Sequence, residues 1–179
     1  LNRMTAKLLS LTKVDSEPEA ESEIIYITPT IRRVARMLSP LAAENQVTIS
    51  MELQEDSPVL ILEDDLYQII FNLMENGIKY NMPGGSLFVR LQRHDDNAIL
   101  QIQDTGVGIP DDAIGHIFDR FYRVDKARSR ATGGSGLGLA IVKAIVERSR
   151  GEISVSSESG KGATFTVSFP VFDTEVDPA

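Results

Sequence analysis

The chain contains no cysteine among its 179 residues, and only His94 and His116 could supply an imidazole. The absence of cysteine excludes a disulfide framework and a cysteine-based zinc site. No apolar run reaches the length of a membrane span, and the sequence has no signal peptide. An excess of positive charge is also missing, because the net charge is -8 and the pI is about 4.8. This balance argues against a nucleic-acid surface.

Apolar residues are plentiful, at 42% of the chain, which is enough for one packed core with a short appendage. The first residue is Leu1 rather than methionine, so we expect a piece excised from a longer protein. Residues 1–15 have an apolar stripe with helical spacing, which predicts a helix that needs a partner helix. The stripe consists of Leu1, Met4, Leu8 and Leu11. We predict an acidic linker over residues 16–23, a domain over 24–171 and a disordered tail over 172–179.

Hydrophobic periodicity within the domain alternates between the periods of strands and helices. Strands are predicted over residues 24–28, 47–53, 59–62, 86–93, 98–103, 151–156 and 163–170. Long helices are predicted from Pro29, over residues 63–80 and over residues 135–148. Because the order is not a strict β-α-β alternation, we predict the α+β class. The expected architecture is a two-layer α/β sandwich, with a mixed, mostly antiparallel sheet covered on one face by three helices.

The central predicted helix has a second stripe beside its apolar face, formed by Asn72, Asn76 and Lys79. An amide oxygen is a neutral, hard ligand for magnesium, and an ammonium is a point charge for phosphate. The alternative is that these polar groups are solvated helix surface.

A first glycine-containing loop covers residues 104–110 and follows a predicted strand. Asp104 at the strand end could accept a hydrogen bond from the exocyclic amino group of adenine, whereas guanine offers a carbonyl there. Gly106 and Gly108 would let the backbone approach a flat base closely. The alternative is that Asp104 caps a turn and the glycines only satisfy positive φ angles.

A second glycine loop over residues 133–138 runs into a predicted helix, whose free amide groups could bind phosphate. Its spacing fits neither a dinucleotide fingerprint nor a Walker loop, and the alternative is a flexible hinge. The segment before it is basic and has no apolar period, so we expect residues 123–132 to be mobile without nucleotide. The basic cluster consists of Arg120, Arg123, Lys126, Arg128 and Arg130.

These features resemble, in their order along the chain, the sequence boxes of sensor histidine kinases. Residues 72–80 look like the N box, 104–110 like the first glycine box, 118–122 like the F box and 134–139 like the second glycine box. The resemblance covers residues 24–170 and extends to the larger GHKL family, which shares the Bergerat ATP-binding fold. It also implies that residues 1–15 are the C-terminal end of a dimerisation and phosphotransfer helix.

The resemblance implies ATP and Mg²⁺ as cofactors, with catalytic roles for Asn72 and Lys79. Asn76 would coordinate Mg²⁺, and Asn72 is a second candidate ligand. Asp104 would read adenine, and Phe118 and Phe121 would anchor the segment between the glycine boxes. The full set of implied nucleotide contacts is Asn76, Tyr80, Asp104, Gly106, Gly108, Ile109, Phe118, Phe121, Arg123, Gly134, Gly136, Leu137, Gly138 and Thr164.

The sequence departs from the family pattern in two ways. Gly77 stands where alanine is usual, and the phosphoryl-accepting histidine with its flanking motif is missing. Neither His94 nor His116 lies in such a motif, so we expect neither to be the acceptor. The implied partners are therefore a helical phosphoacceptor domain of the same protein and the receiver domain of a response regulator.

The predicted function is the ATP-binding catalytic domain of a two-component sensor histidine kinase, which would pass the γ-phosphoryl group of ATP to a histidine on a helical domain absent from this chain. We expect it to be the cytoplasmic part of a membrane-anchored sensor, with no nucleic-acid partner and no direct membrane contact of its own. One alternative is a GHKL-type ATP hydrolase, in which a glutamate at the position of Asn72 activates water. An amide cannot accept that proton at neutral pH, so Asn72 favours transfer over hydrolysis. The other alternative is a non-catalytic nucleotide-sensing module.

Overall fold

The computed structural model describes residues 22–54, 57–124 and 135–172, and this part of the chain contains seven strands and four helices. In chain order they are β1 (Glu23–Tyr26), α1 (Ile27–Glu44), β2 (Thr48–Leu53), β3 (Pro58–Ile61), α2 (Glu63–Lys79), β4 (Ser86–His94), β5 (Asn97–Asp104), α3 (Asp111–Ile114), α4 (Gly138–Arg148), β6 (Glu152–Glu158) and β7 (Gly162–Pro170).

The main sheet has five strands in the order β2-β4-β5-β7-β6. Only β2 and β4 run parallel, and the other neighbouring strands are antiparallel. The long helices α1, α2 and α4 pack side by side against one face of this sheet. The predicted α+β sandwich, with a mixed, mostly antiparallel sheet under three helices, is therefore confirmed.

Strand alternation determines which face the helices cover. Along β4, Leu87, Val89 and Leu91 are at most 1% exposed, whereas Phe88 and Arg90 belong to the opposite face. Burying each such aliphatic side chain stabilises the fold by about 1.5–3 kcal/mol. On β5, every second side chain likewise faces the helices, and the last of these inward-facing residues is Asp104. A carboxylate therefore ends a row of otherwise apolar side chains.

Helix α1 begins two residues earlier than the sequence predicted, but Pro29 still lies in its first turn, where the missing N–H has no intrahelical partner to lose. A second proline, Pro40, lies inside the same helix. Its missing N–H would leave the Arg36 carbonyl without its usual partner, and the Ser39 hydroxyl donates to that carbonyl at 2.9 Å instead. The helix therefore continues past Pro40.

A second, two-stranded sheet of β1 and β3 was not foreseen as a separate unit. Each neighbour of the predicted domain over residues 24–171 is part of this ordered structure, because Glu23 belongs to β1 and the Phe172 N–H donates to the Pro58 carbonyl at 2.8 Å. The predicted helix over residues 1–15, most of the linker and residues 173–179 lie outside the described residues. In the described ranges, no helix is long and apolar enough to cross a membrane.

Candidate functional site

Several of the predicted site residues lie around the C-terminal half of α2. On one side, the Cα of Gly77 lies so close to β4 that an added Cβ would be 2.4 Å from Leu87 Cδ1 and 3.6 Å from Asp104 Cβ. On the other side, an added Cβ on Gly138 would be 3.0 Å from Asn72 Oδ1. Helix α2 is therefore flanked by the end of β5 and by the start of α4, and packing against Leu87 accounts for glycine at position 77.

Asp104 is 8% exposed and is held from two directions. Its Oδ1 accepts hydrogen bonds from the backbone N–H groups of Gly106 at 2.8 Å and of Ala163 at 3.3 Å. Burial raises the pKa of Asp104 above its ordinary value, and the backbone hydrogen bonds oppose that rise only in part. Both bonds end on Oδ1, which leaves Oδ2 able to accept from a ligand.

The first glycine loop is packed tightly against the protein itself. A Cβ on Gly106 would lie 2.2 Å from the Tyr80 carbonyl oxygen, and one on Gly108 would lie 2.2 Å from the Glu158 carbonyl oxygen. Gly108 also has a φ of 69°. Glycine is therefore required at both positions by the protein's own backbone, at the C-cap of α2 and in the β6–β7 hairpin.

Ser157 is a residue that the sequence analysis missed. Its hydroxyl accepts from the Ile109 N–H at 2.8 Å and donates to the Gly162 carbonyl at 2.7 Å. One hydroxyl thus joins the glycine loop to the β6–β7 hairpin. No sequence signal indicated this role, since the two segments it links are about 50 residues apart.

Thr164 and the Asp104 side chain belong to opposite faces of the sheet. Strand pairing aligns Ile102 with Phe165 and Gln103 with Thr164, and side chains alternate along β7. The residue on the Asp104 face is Ala163, and it contributes its backbone N–H. A contact between Thr164 and a base therefore stays a prediction.

Asn72 is buried, with 6% exposure, so the alternative of a solvated helix surface is wrong for this residue. Its Nδ2 donates to the Gln68 carbonyl at 2.8 Å, and its Oδ1 faces the start of α4 at Gly138. Asn76, one turn further along, is half-buried and its side chain has no hydrogen-bond partner in the ranges described. Its amide oxygen is thus free to coordinate a hard cation.

The chemistry of this stripe fits a magnesium ion shared with a ligand. Across the described ranges, no group of three or more His, Cys, Asp or Glu side chains could hold a metal ion. Mg²⁺ usually keeps several waters and is held by one or two protein oxygens together with substrate phosphates. The Asn76 amide fits that pattern, with Asn72 one turn away.

Lys79 ends the stripe and is already paired. Its Nζ lies 2.7 Å from Glu75 Oε1, one turn earlier on α2, and the two side chains are only 24% and 17% exposed. Tyr80 follows as the C-cap of the helix with a 40% exposed side chain, while its carbonyl accepts from the Val107 N–H at 3.1 Å. The backbone of Tyr80, rather than its ring, is what holds the first glycine loop.

The two aromatic residues of the F box differ. Phe118 is half-buried and packs edge-to-face on Phe165, with ring centroids 6.4 Å apart. Phe121 is 55% exposed and has a φ of 65°, which is rare for a bulky residue. Its N–H donates to the Gly136 carbonyl at 2.9 Å. Phe118 therefore packs into the fold through its ring, whereas Phe121 makes its described contact through the backbone.

The start of α4 offers unpaired donors. Leu137, its N-cap, has a fully buried side chain in the core, so only its backbone can face a ligand. No side chain caps this helix and no acidic residue lies in its first turn. Nearby, Arg123 Nη2 and Ser135 Oγ are buried and have no hydrogen-bond partner in the part of the chain that the structure describes. Buried unpaired polar atoms are costly, so a ligand with several acceptor oxygens fits this place.

Gly134 lies outside the described residues, as do Lys126, Arg128 and Arg130, and the predicted mobility of residues 123–132 concerns mostly that same segment. Ser135 was not singled out in the sequence analysis. The position of Ser135 next to Gly134, in a loop that leads into a helix, was the sequence feature that could have identified it.

Comparisons with known proteins agree with this arrangement. The family described as "Histidine kinase-, DNA gyrase B-, and HSP90-like ATPase" matches residues 61–173. Sensor histidine kinase RppB of Synechocystis sp. is 36% identical over 178 residues, which cover 98% of this chain and 39% of RppB. The chain therefore spans well under half the length of this curated relative.

Two solved structures are similar in both fold and sequence. Full-length ShkA in complex with AMPPNP has a TM-score of 0.81 and 28% identity, covering 94% of this chain and 35% of that chain. The mycobacterial sensor histidine kinase MprB has a TM-score of 0.74 and 28% identity, covering 84% of this chain and 97% of that chain. The chain belongs to the histidine kinase-, DNA gyrase B- and HSP90-like ATPase family, as an ATP-binding catalytic domain of the sensor histidine kinase type.

Proposed function

We propose that this domain binds Mg²⁺-ATP and passes the γ-phosphoryl group to a histidine on a helical domain of the same protein. The observation that carries the proposal is the pairing of two opposed half-sites across α2. Asp104, a buried acceptor, lies on one side, and the uncapped start of α4 lies on the other. A ligand that bridges them needs a donor-bearing ring at one end and anionic oxygens at the other.

We call Asp104 and residues 105–109 the base end. There, Oδ2 of Asp104 would accept from the amino group of adenine, while the N–H groups of Gly106 and Ala163 hold Oδ1 in place. Guanine would present a carbonyl oxygen to the same carboxylate, and two acceptors facing each other repel. This end therefore favours ATP over GTP.

We call the second group the phosphate end, and it consists of Asn72, Asn76, Lys79, Arg123 and the first turn of α4. The backbone N–H groups of α4 and the Arg123 guanidinium would donate to phosphate oxygens, and Lys79 would contribute an ammonium. Asn76 would hold Mg²⁺, with Asn72 as the second candidate ligand. The ion would neutralise charge on the phosphates when bound.

Transfer, rather than hydrolysis, is favoured by Asn72. Its amide is bonded to the Gln68 carbonyl and cannot take a proton from water at neutral pH. In the transfer step, a nitrogen of the acceptor histidine forms a bond to the γ-phosphorus as the bond to the bridging oxygen breaks. ADP leaves with that electron pair, and the domain's residues position the phosphates for in-line attack.

The proposed partners follow from this role. They are the helical dimerisation and phosphoacceptor domain of the same protein, and the receiver domain of a response regulator that takes the phosphoryl group onward. We propose a cytoplasmic location, because that is where ATP and a receiver domain meet. Nucleic acid is not among the expected partners, given the net charge of -8.

Calorimetric titration of the chain with ATP and with GTP, each with Mg²⁺, tests the proposal. ATP should bind at least about tenfold more tightly, because a charge-assisted hydrogen bond is worth about 1.5–3 kcal/mol. Adenosine should also bind, more weakly, because the base end is complete without phosphates. Equal affinity for the two triphosphates would contradict the assignment of Asp104.

A further inference from the structure

Glu75 has no assigned role, yet it forms an ion pair with Lys79, a predicted phosphate-binding residue. Its Oε1 lies 2.7 Å from Lys79 Nζ, and both side chains are mostly buried, at 17% and 24% exposure. The other pair with the same spacing, Lys143 and Glu147, is 3.9 Å apart and 48% and 61% exposed. The pair on α2 is therefore both closer and more strongly shielded from solvent.

The Lys79–Glu75 ion pair changes the local charge at the place where a triphosphate would bind. With Glu75 beside it, the positive charge of Lys79 is compensated before any nucleotide arrives. The Glu75 carboxylate also repels phosphate oxygens that approach the Lys79 ammonium. Because both side chains are partly buried, solvent screens this repulsion less than it would at the surface. A ligand with fewer net negative charges is repelled less, and Mg²⁺ cancels two of the about four charges on ATP.

We propose that Glu75 makes the site selective for metal-bound over metal-free ATP, by compensating Lys79 and repelling uncomplexed phosphates. This inference rests on the proposed function, because it takes ATP to be the ligand of this site. Glu75 is a specificity-determining residue in this account rather than a metal ligand. At about 100° per residue, its side chain leaves α2 in a different direction from that of Asn76.

The test compares dissociation constants for ATP in excess Mg²⁺ and in excess chelator. Glu75→Gln keeps an oxygen that can accept from Lys79, so the fold should persist. The change should tighten binding of metal-free ATP about tenfold and binding of Mg²⁺-ATP by much less, since the repelled charge differs by two units. The preference for the metal-bound form should fall at least about fivefold.

Two further variants separate charge from structure. Glu75→Gln combined with Lys79→Gln removes both charges and leaves the net charge of the pair at zero, so the preference should return to within about threefold of the parent value. Glu147→Gln removes a carboxylate from the exposed pair and should leave the preference unchanged. Adenosine affinity should not move in any of these proteins.

The outcomes distinguish this inference from the proposed function. If the parent protein does not bind ATP at all, the proposed function fails. If the parent binds ATP and Glu75→Gln leaves the metal preference unchanged, the inference alone is wrong. Loss of Mg²⁺-ATP affinity in Glu75→Gln, with metal-free ATP unaffected, would make Glu75 a metal ligand and would also overturn the inference.

Discussion

The base end and the phosphate end of this site differ in how completely their groups are satisfied by the protein. At the base end, Asp104 Oδ1 accepts two backbone N–H groups, and the glycine loop is bonded to Tyr80 and to Ser157. At and beside the phosphate end, Arg123 Nη2 and Ser135 Oγ are buried and have no hydrogen-bond partner among the described residues. One end is preformed by protein contacts, and the other has donors that a ligand could satisfy.

From this difference we expect the base end to select the nucleotide and the phosphate end to respond to the charge of the ligand. A preformed base end gives selectivity, because the groups that read the ring lose little conformational freedom on binding. The phosphate end holds the groups that respond to charge, including the Lys79–Glu75 pair. Changes at the base end should therefore alter which nucleotide binds, whereas changes at the phosphate end should alter the dependence on magnesium.

The largest expected effect is at the base end. Asp104→Asn should weaken ATP binding by tenfold or more, because an amide turned the wrong way presents a donor to the amino group of adenine. GTP binding, weak in the parent, should change by less. Calorimetry measures both, and a variant that still prefers ATP to the same extent would show that the base is read elsewhere.

At the phosphate end, Asn76→Ala should abolish the gain in ATP affinity that Mg²⁺ produces, because it removes a half-buried amide that has no hydrogen-bond partner among the described residues. Binding of metal-free ATP should stay within about threefold of the parent, since the base end is intact. Gln68→Ala, one turn before Asn72 on the same stripe, is a useful control, as only its backbone carbonyl is used. An undiminished magnesium response in Asn76→Ala would place the metal on other groups.

A smaller effect should come from pH at the base end. The ionised form of Asp104 accepts from adenine, so adenosine affinity should fall as the pH falls through the raised pKa of Asp104. This decline should begin at a higher pH than for a carboxyl with the ordinary value of 3.8. Titration of adenosine affinity from neutral pH downward would show it, and Asp104→Asn should flatten the profile.

The raised pKa of Asp104 makes the stability of the fold change with pH in the direction opposite to adenosine affinity. Because the folded pKa of Asp104 is raised, the folded state holds the proton more tightly than the unfolded chain. The contribution to stability is therefore present below the ordinary value of 3.8 and is lost as pH rises through the folded pKa. Denaturant unfolding of the parent and of Asp104→Asn should show a pH slope that only the parent has in this window.

The smallest effect concerns packing between the two ends. Gly77→Ala would put a Cβ 2.4 Å from Leu87 Cδ1. Overpacking costs about 1–3 kcal/mol, and the better helix propensity of alanine offsets up to about 1 kcal/mol, so unfolding free energy should fall by about 1 kcal/mol. Combining it with Leu87→Val removes the obstructing atom, so the double variant should lose less than the sum of the single losses. Additive losses would show that Leu87 is not the obstacle.

Much of the fold was predictable, because the periods of the apolar residues identify strands and helices independently of their partners. The alternation through Leu87, Val89 and Leu91 is an example. The two-stranded sheet was not foreseen as a unit, since four-residue strands carry little periodic signal and pairing joins Glu23 to Ile61, far along the chain. The start of α4 was placed three residues early because the glycine-rich approach to it has no apolar pattern.

The site was predictable where one residue type carries the chemistry, as with Asp104 at a strand end. The site was less predictable where a role depends on the sheet face that a side chain occupies or on the side chain with which it pairs. Thr164 and Ala163 are neighbours in sequence, and only the register with β5 shows which of them lies on the Asp104 face. Likewise, the pairing of Lys79 with Glu75 and the exposure of Phe121 depend on local packing that spacing alone cannot give.

Transfer of radiolabelled γ-phosphate tests the central claim most directly. The chain is mixed with Mg²⁺-ATP and with the helical domain of the same protein supplied as a separate polypeptide. Label should appear on a histidine of the helical domain, slowly because the two parts are not tethered, and not on the chain alone. Label on His94 or His116 of the isolated chain, or multiple-turnover release of phosphate without any labelled acceptor, would contradict the account.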